Sequence, residues 1–197
     1  ASVCRRHGIL LAADEVQCGM GRTGRMFASS NFGLEPDIIA LAKGIASGMP
    51  LSATIARADI MAWKPGAHAS TFGGNPVSLA AATATLELLE QELVDNAAKV
   101  GAAMKARMQT WVKRFPVVGD VRGLGLMLAF ELVRDQGTKE KAPDIRDRIV
   151  DLAFERGLLI LGAGQNSIRL CPPLVLTEEQ GNYALDVIEE CIRLATA

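Results

Sequence analysis

Residues 9–14 read ILLAAD, a continuous apolar run that ends at an acidic side chain. Residues 37–43 read DIIALAK, which contains a second apolar run and ends at a lysine. Short apolar runs of this kind are typical of strands buried on both faces of a parallel sheet. Since ligands of open α/β sheets gather at the carboxyl ends of the strands, we expect Asp14 and Lys43 to face one crevice.

Residues 19–24, GMGRTG, match the G-x-G-x-x-G pattern of dinucleotide-binding loops. That motif requires a strand that runs into the first glycine, a helix that opens at the third, and an acidic residue after the next strand. Here residues 14–18 separate the strand from Gly19, and the next strand ends at Lys43 instead of an acid. The sequence therefore predicts that these glycines shape an ordinary loop beside the site.

Lys43 is followed by GIASG, whose small side chains leave room for a flat ring beside the amine. Pyridoxal 5′-phosphate requires such a lysine for its Schiff base and a carboxylate at its pyridine nitrogen. Asp14 is the candidate carboxylate. A single lysine or aspartate after a strand is usually a solvated loop residue, so the hypothesis depends on the combination.

The rest of the chain predicts a helical stretch and then a compact α+β unit. Asn75-Pro76 is a strong helix start, and two successive helices extend from it to near Pro116. We expect one strand at 119–133, a helix at 143–156, short strands at 158–161 and 168–175, and a final helix opened by the capping box 177–180. The predicted fold class is α/β, with one domain over residues 1–92 and a second over residues 93–197.

Composition favours a globular protein that acts on small molecules or other protein chains. With 49% hydrophobic residues, 22% charged residues and a formal net charge of −1, the chain lacks the basic excess of nucleic-acid and membrane-surface binders. No apolar run approaches the roughly 18 residues that a membrane span needs. The four scattered cysteines indicate neither a metal site nor a disulfide framework, and they favour a cytoplasmic location.

Four segments resemble the successive signatures of the class-III, or omega, aminotransferases. The similarity is nearest to the 4-aminobutyrate aminotransferases and extends over essentially the whole chain. The segments are ADEVQCGMGRTG at 13–24, PDIIALAKGIASGMPL at 36–51, STFGGNP at 70–76 and GDVRGLGLMLAFEL at 119–132.

The resemblance implies a fold-type I pyridoxal-phosphate-dependent transferase. Residues 1–92 would be the C-terminal part of its large domain, a mostly parallel sheet with helices that includes the linking helix, and residues 93–197 its small domain. Members of the family are considerably longer, and the start of this chain, without an initiator methionine or a helix-capping signal before the first strand, suggests a cut inside a larger protein.

The resemblance also assigns roles to six residues. Lys43 would form the Schiff base with the cofactor, and Asp14 would pair with the ring nitrogen. Val16 would pack on one ring face, and Gln17 would donate to the phenolic oxygen of the ring. Thr71 would reach the cofactor phosphate of the neighbouring subunit, and Arg169 would hold a substrate carboxylate with its planar guanidinium.

The implied reaction is ping-pong transamination of an omega-amino acid such as 4-aminobutyrate with a 2-oxo acid such as 2-oxoglutarate, in a homodimer with shared active sites. Ornithine derivatives and other omega-amines remain open as substrates. An amino-acid racemase on the same fold would use the same Lys43 and Asp14. A further alternative is an inactive fragment that serves only in folding or assembly.

Overall fold

The computed structural model describes residues 1–197. It contains helices and two sheets, one mixed and one antiparallel, which is an α/β architecture as the sequence predicts. The chain divides into two compact units, Ala1–Asp95 and Asn96–Ala197. None of the helices combines the length and the apolar character that crossing a membrane requires. All four cysteines are free thiols.

The first unit contains a three-stranded sheet of order β1-β2-β3, with β1 at Ala12–Asp14, β2 at Ile38–Leu41 and β3 at Ala53–Ala56. Strands β1 and β2 are parallel, as predicted, whereas β3 is antiparallel to β2. Within this unit the sheet is therefore mixed and not mostly parallel. Strand β3 was not predicted from the sequence, although its β-branched Thr54 and Ile55 are typical of a strand.

The N-terminal region differs from the prediction in two ways. A short helix α1 occupies Ser2–Arg6, where the sequence predicts a direct entry into the first strand. In addition, β1 is shorter than the apolar run, and Ile9 and Leu10 are 56% and 50% exposed. The expectation of burial on both faces is wrong for this strand, since Ala12 and Asp14 are exposed and Ala13 is only half-buried.

Helix α2 at Pro76–Leu88 begins where the sequence predicts. The Asn75 side chain caps the helix by accepting a 2.9 Å hydrogen bond from the backbone N–H of Ser78, and Pro76 occupies the first turn, where its missing N–H costs nothing. A π-helical turn at Leu89–Leu93 follows, and the chain continues as α3 at Val94–Gln109 and the short α4 at Trp111–Arg114.

The second unit contains an antiparallel sheet of order β4-β5-β7-β6. Its strands are Val118–Leu124, Met127–Leu132, Leu161–Ala163 and Ser167–Leu170, numbered β4 to β7 along the chain. The predicted single strand at 119–133 is wrong, since it folds into the β4–β5 hairpin. Leu124 pairs with Met127 across a two-residue turn in which Gly125 has φ 52°, a left-handed conformation that suits glycine.

Two further helices pack in the second unit, α5 at Pro143–Glu155 and α6 at Glu178–Ala195. Both were predicted, and the capping box of Thr177 and Gln180 is present with both reciprocal hydrogen bonds. The core contains Trp111 edge-to-face with Phe130, whose ring centroids are 5.3 Å apart. The predicted strand at 158–161 is shifted, because only Leu161 of that run pairs in β6.

Candidate active site

Asp14 and Lys43 lie at the same edge of the first unit's sheet. Asp14 is the last residue of β1 and pairs with Ala40 of the parallel strand β2. Lys43 is the first residue of the 3₁₀ helix Lys43–Ala46, which is separated from the end of β2 by Ala42 alone. Both residues are exposed. A carboxylate and an amine are therefore accessible at the carboxyl ends of two neighbouring parallel strands.

The backbone that presents Lys43 is strained. Lys43 has φ 49° and Ser47 has φ 48°, so left-handed residues other than glycine stand at both ends of this short helix. Each such residue costs roughly 1–3 kcal/mol and persists only where its surroundings hold it. Ile45 and Ala46 are buried, and the Ser47 hydroxyl bonds to that of Thr85 on α2 at 2.9 Å.

Asp14 is oriented by the chain that follows it. One of its carboxylate oxygens accepts a 3.0 Å hydrogen bond from the backbone N–H of Val16. Val16 and Gln17 are half-buried residues of the turn after β1. The structure therefore brings Asp14, Val16, Gln17 and Lys43 to the strand ends of one small sheet.

Glu15 is a buried carboxylate that the sequence analysis missed. It is 2% exposed and accepts hydrogen bonds from the backbone N–H groups of Ala28 at 2.8 Å and Ser29 at 2.7 Å. Burial raises the pKa of Glu15, but the amide hydrogen bonds from Ser29 and Ala28 outweigh that effect, so the pKa is lower than usual. The available signal was the pair Asp14-Glu15, since adjacent residues at a strand end face opposite sides.

Cys18 donates its thiol hydrogen to the Glu15 carboxylate, with sulfur and oxygen 3.3 Å apart. Burial, together with the hydrogen bond and the negative charge of Glu15, raises the pKa of Cys18 to about 11. The thiolate is the nucleophilic form of cysteine. Cys18 is therefore a packed hydrogen-bond donor and not a candidate nucleophile.

The glycine motif forms a loop, as predicted. Gly21 and Gly24 have φ 82° and 80°, and Met20 has φ 53°. No helix opens at Gly24, and the next helical segment is the 3₁₀ helix Ala28–Phe32. The strand-turn-helix geometry that a dinucleotide-binding loop requires is therefore absent from this segment.

Thr71 and Arg169 lie on other elements. Thr71 is exposed in the loop before α2. Arg169 is a half-buried residue of β7 in the second unit, where it pairs with Ala129 and Leu161. It lines a cavity of about 400 Å³ whose other walls are mainly apolar and include Leu170.

The residues present fit pyridoxal phosphate. The aldehyde of this cofactor requires an accessible amine and its ring nitrogen an accessible carboxylate, and Lys43 and Asp14 supply both at one sheet edge. The residues after Lys43 are Gly44, Ile45 and Ala46, and the two larger ones, Ile45 and Ala46, are turned into the protein. A flat ring therefore meets no bulky side chain from this turn.

The chain matches the family model described as Aminotransferase class-III over residues 1–192. It is 46% identical over 190 residues to an alanine/serine racemase of Pyrococcus horikoshii, covering 95% of this chain and 40% of that protein. It is 39% identical over 197 residues to a probable 4-aminobutyrate aminotransferase of Bacillus subtilis, covering 98% of this chain and 45% of that protein.

The structure superposes on solved transaminases. An amine transaminase from an uncultivated Pseudomonas species, solved in its pyridoxal-phosphate-bound form, is 42% identical with a TM-score of 0.91 and covers 98% of this chain and 46% of that one. The chain thus spans less than half the length of these relatives. Class-III aminotransferases depend on pyridoxal phosphate, and the match of residues 1–192 establishes that this chain belongs to the class-III aminotransferase family.

Proposed function

We propose that the chain supplies the lysine-bearing part of an enzyme that transfers the amino group of an omega-amino acid, 4-aminobutyrate or a close analogue, to a 2-oxo acid such as 2-oxoglutarate. The observation that carries the proposal is the shared sheet edge of Asp14 and Lys43, with Lys43 held in a left-handed backbone conformation. Strain of this kind is concentrated at functional sites.

Lys43 and Asp14 carry the chemistry in this proposal. Pyridoxal phosphate supplies an electron sink for the bond that breaks at the substrate carbon. Lys43 would hold the cofactor in the resting enzyme. Once the substrate amine has displaced it, its Nζ would take the proton from the carbon that bears the amine and pass it to C4′ of the cofactor. Asp14 keeps the ring nitrogen protonated through its carboxylate.

The remaining assigned residues bind and orient the cofactor or the substrate. Val16 packs on one ring face, and Gln17 bonds the phenolic oxygen. Thr71 contacts the cofactor phosphate of a neighbouring subunit, which makes the enzyme a homodimer with shared sites. Arg169 binds the substrate carboxylate through its two parallel N–H donors. In this proposal residues 1–92 and 93–197 belong to the large and small domains of a cytoplasmic enzyme.

Racemisation of an amino acid is a second candidate. It is favoured by the alanine/serine racemase of Pyrococcus horikoshii and by a leucine/methionine racemase of Thermococcus litoralis, which is 44% identical over 188 residues. Lys43 and Asp14 would serve both reactions. The difference is that in racemisation the amino group stays on its carbon: the proton removed from that carbon is returned to its opposite face, and no 2-oxo acid is consumed.

Activity is measured on a protein that contains this chain and has the length typical of the family, which we call the full-length enzyme. Purified enzyme with pyridoxal phosphate is given 4-aminobutyrate and 2-oxoglutarate, and glutamate is quantified, while parallel samples contain L-alanine or L-leucine without a 2-oxo acid. We expect glutamate formation with the parallel-line kinetics of a ping-pong mechanism. Formation of D-alanine or D-leucine without glutamate formation would replace transamination by racemisation.

A further inference from the structure

We propose that Glu15 is a positioning residue, whose buried carboxylate fixes the turn that carries Asp14, Val16 and Gln17 against the strand that leads to Lys43. The inference rests on the proposed function, because it assigns Glu15 a role at the same sheet edge. Glu15 touches neither substrate nor cofactor in this account and acts only through its neighbours.

The carboxylate of Glu15 closes the glycine loop. Its two oxygens accept from the backbone N–H groups of Ala28 and Ser29, which are the first two residues of the 3₁₀ helix Ala28–Phe32. One of the oxygens also accepts from the Cys18 thiol. The Glu15 side chain therefore holds both the start and the end of the loop between Val16 and Phe27.

The backbone of Glu15 is fixed at the same time. Its N–H donates to the carbonyl of Ala40 at 3.0 Å and extends the β1–β2 pairing by one residue, while its carbonyl accepts from the N–H of Gly19 at 2.9 Å. Ala40 precedes Lys43 by three positions. Residue 15 thus joins the acid-bearing turn to the lysine-bearing strand.

The close approach of Gly19 shows how little room this turn has. A Cβ added to Gly19 would lie 2.8 Å from the carbonyl oxygen of Glu15 and 3.0 Å from the Glu15 Cβ. Real Cβ atoms essentially never approach backbone so closely, so the turn can pass Glu15 along its observed path only with glycine at position 19. Loss of the carboxylate contacts would free the loop on its other side, toward Ala28.

The test compares Glu15→Gln with Glu189→Gln in the full-length enzyme. Glu189 is the matched control, because it is also a buried, multiply hydrogen-bonded carboxylate but lies in the second unit. Each variant is incubated with pyridoxal phosphate, dialysed and reduced with borohydride, and the label on Lys43 is quantified by peptide mass spectrometry. The circular dichroism of the bound cofactor and the thermal midpoint are recorded beside it.

Glu15→Gln should lower the label on Lys43 about tenfold and reduce the cofactor dichroism, because a misplaced supporting group costs about one to two orders of magnitude. Glu189→Gln should lower the thermal midpoint but retain the label within about threefold. Equal losses of label in the two variants, or a label in Glu15→Gln within about threefold of the parent, would overturn the proposal.

Ala28→Pro provides a second variant should Glu15→Gln fail to fold. It removes one donor to Glu15 at the first position of the 3₁₀ helix, where proline is tolerated, and Phe27 already has the extended φ −119° and ψ 137° that a residue before proline needs. We expect a smaller loss of label in the same direction, and an unchanged label would contradict the positioning role. A parent enzyme labelled on another lysine would instead refute the proposed function.

Discussion

Glu189 shows how strongly one buried side chain can tie the second unit together. Its carboxylate accepts hydrogen bonds from the Trp111 indole at 2.9 Å and from the guanidinium groups of Arg107 at 3.0 Å and Arg114 at 2.5 Å. Burial raises the pKa of Glu189, but the hydrogen bonds from Arg114, Trp111 and Arg107 outweigh it, so that the pKa falls to about 2. The charged form is therefore strongly favoured in the folded protein.

This pKa predicts an acid-dependent stability. Because the folded pKa lies below the unfolded value of 4.5, Glu189 stabilises the fold fully above pH 4.5, and the contribution is lost as the pH falls from there toward 2. Between pH 7 and pH 3 the parent should lose about 2 kcal/mol more unfolding free energy than Glu189→Gln. Urea unfolding of both proteins at the two pH values measures the difference, and equal losses would refute the assignment.

Asp14 and Arg169 are predicted to affect different kinetic constants. In the full-length enzyme Asp14→Asn should lower kcat by at least about a hundredfold, because the amide cannot keep the ring nitrogen protonated. Arg169→Lys should chiefly raise the KM for carboxylate substrates, because lysine lacks the bidentate fork. Steady-state kinetics with 4-aminobutyrate and 2-oxoglutarate separate the two effects, and the reverse pattern would show that the roles are misassigned.

At the residue scale, the sequence predicted the positions of Asp14 and Lys43 because both follow from local apolar runs and the known polarity of parallel strands. Glu15 could not be found in the same way. Its partners are backbone N–H groups of Ala28 and Ser29, and any residue other than proline offers the same donor. The pair Asp14-Glu15 could have pointed to the residue, but nothing in the sequence identifies its backbone partners.

At the scale of elements, helix α3 approaches the β4–β5 hairpin without a side chain between them. A Cβ added to Gly101 would lie 2.0 Å from the carbonyl oxygen of Gly125, which is backbone and cannot rotate away. Gly181 on α6 differs, since its Cβ would meet the thioether of Met104 at 3.1 Å, the far end of a flexible side chain. Both glycines lie within helices and differ in what an added Cβ would contact, so substitutions at the two positions can be compared directly.

Alanine at these two positions should therefore have different effects on stability. Gly101→Ala should destabilise by about 1–3 kcal/mol, since overpacking exceeds the gain of about 1 kcal/mol in helix propensity. Gly181→Ala should be neutral or stabilising by up to about 1 kcal/mol. Urea unfolding of the two variants tests this, and a Gly101→Ala protein as stable as the parent would contradict the packing described.

The elements also show which parts of the fold the sequence could predict. The starts of α2 and α6 were correct, because the capping signals of Asn75 and Thr177 act on residues three positions away. The β4–β5 hairpin and the short β1 were not, because strand limits depend on pairing with residues distant in sequence. Gly123 and Gly125 lie inside the run at 119–133 that the sequence predicts as one strand, and Gly125 was the available signal for the hairpin turn.

At the scale of the whole molecule, the first unit exposes much apolar surface. Helix α2 is apolar on most sides, yet its buried residues are only Ser78, Ala82 and Thr85, while Val77 and Leu79 are exposed. Helices that are apolar all round are usually buried. Strand β1 adds an open sheet edge, which readily pairs with other chains.

We therefore predict that the isolated 197-residue chain self-associates and does not retain pyridoxal phosphate. Thr71, the proposed phosphate contact, serves a partner's site, and the chain spans less than half the length of its relatives. The chain is purified, saturated with cofactor and dialysed, and bound cofactor and mass in solution are measured. Near-stoichiometric retention by a monomer would contradict both the shared site and the need for further chain.

The central claim is that Lys43 is the residue to which the cofactor attaches, and its most direct test is chemical labelling. The full-length enzyme is saturated with pyridoxal phosphate, reduced with borohydride and digested, and the labelled peptide is sequenced by mass spectrometry. We predict a phosphopyridoxyl group on Lys43, and a Lys43→Ala variant that folds, carries no label and has no measurable turnover. A label on a different lysine, or turnover of Lys43→Ala within about tenfold of the parent, would contradict the account.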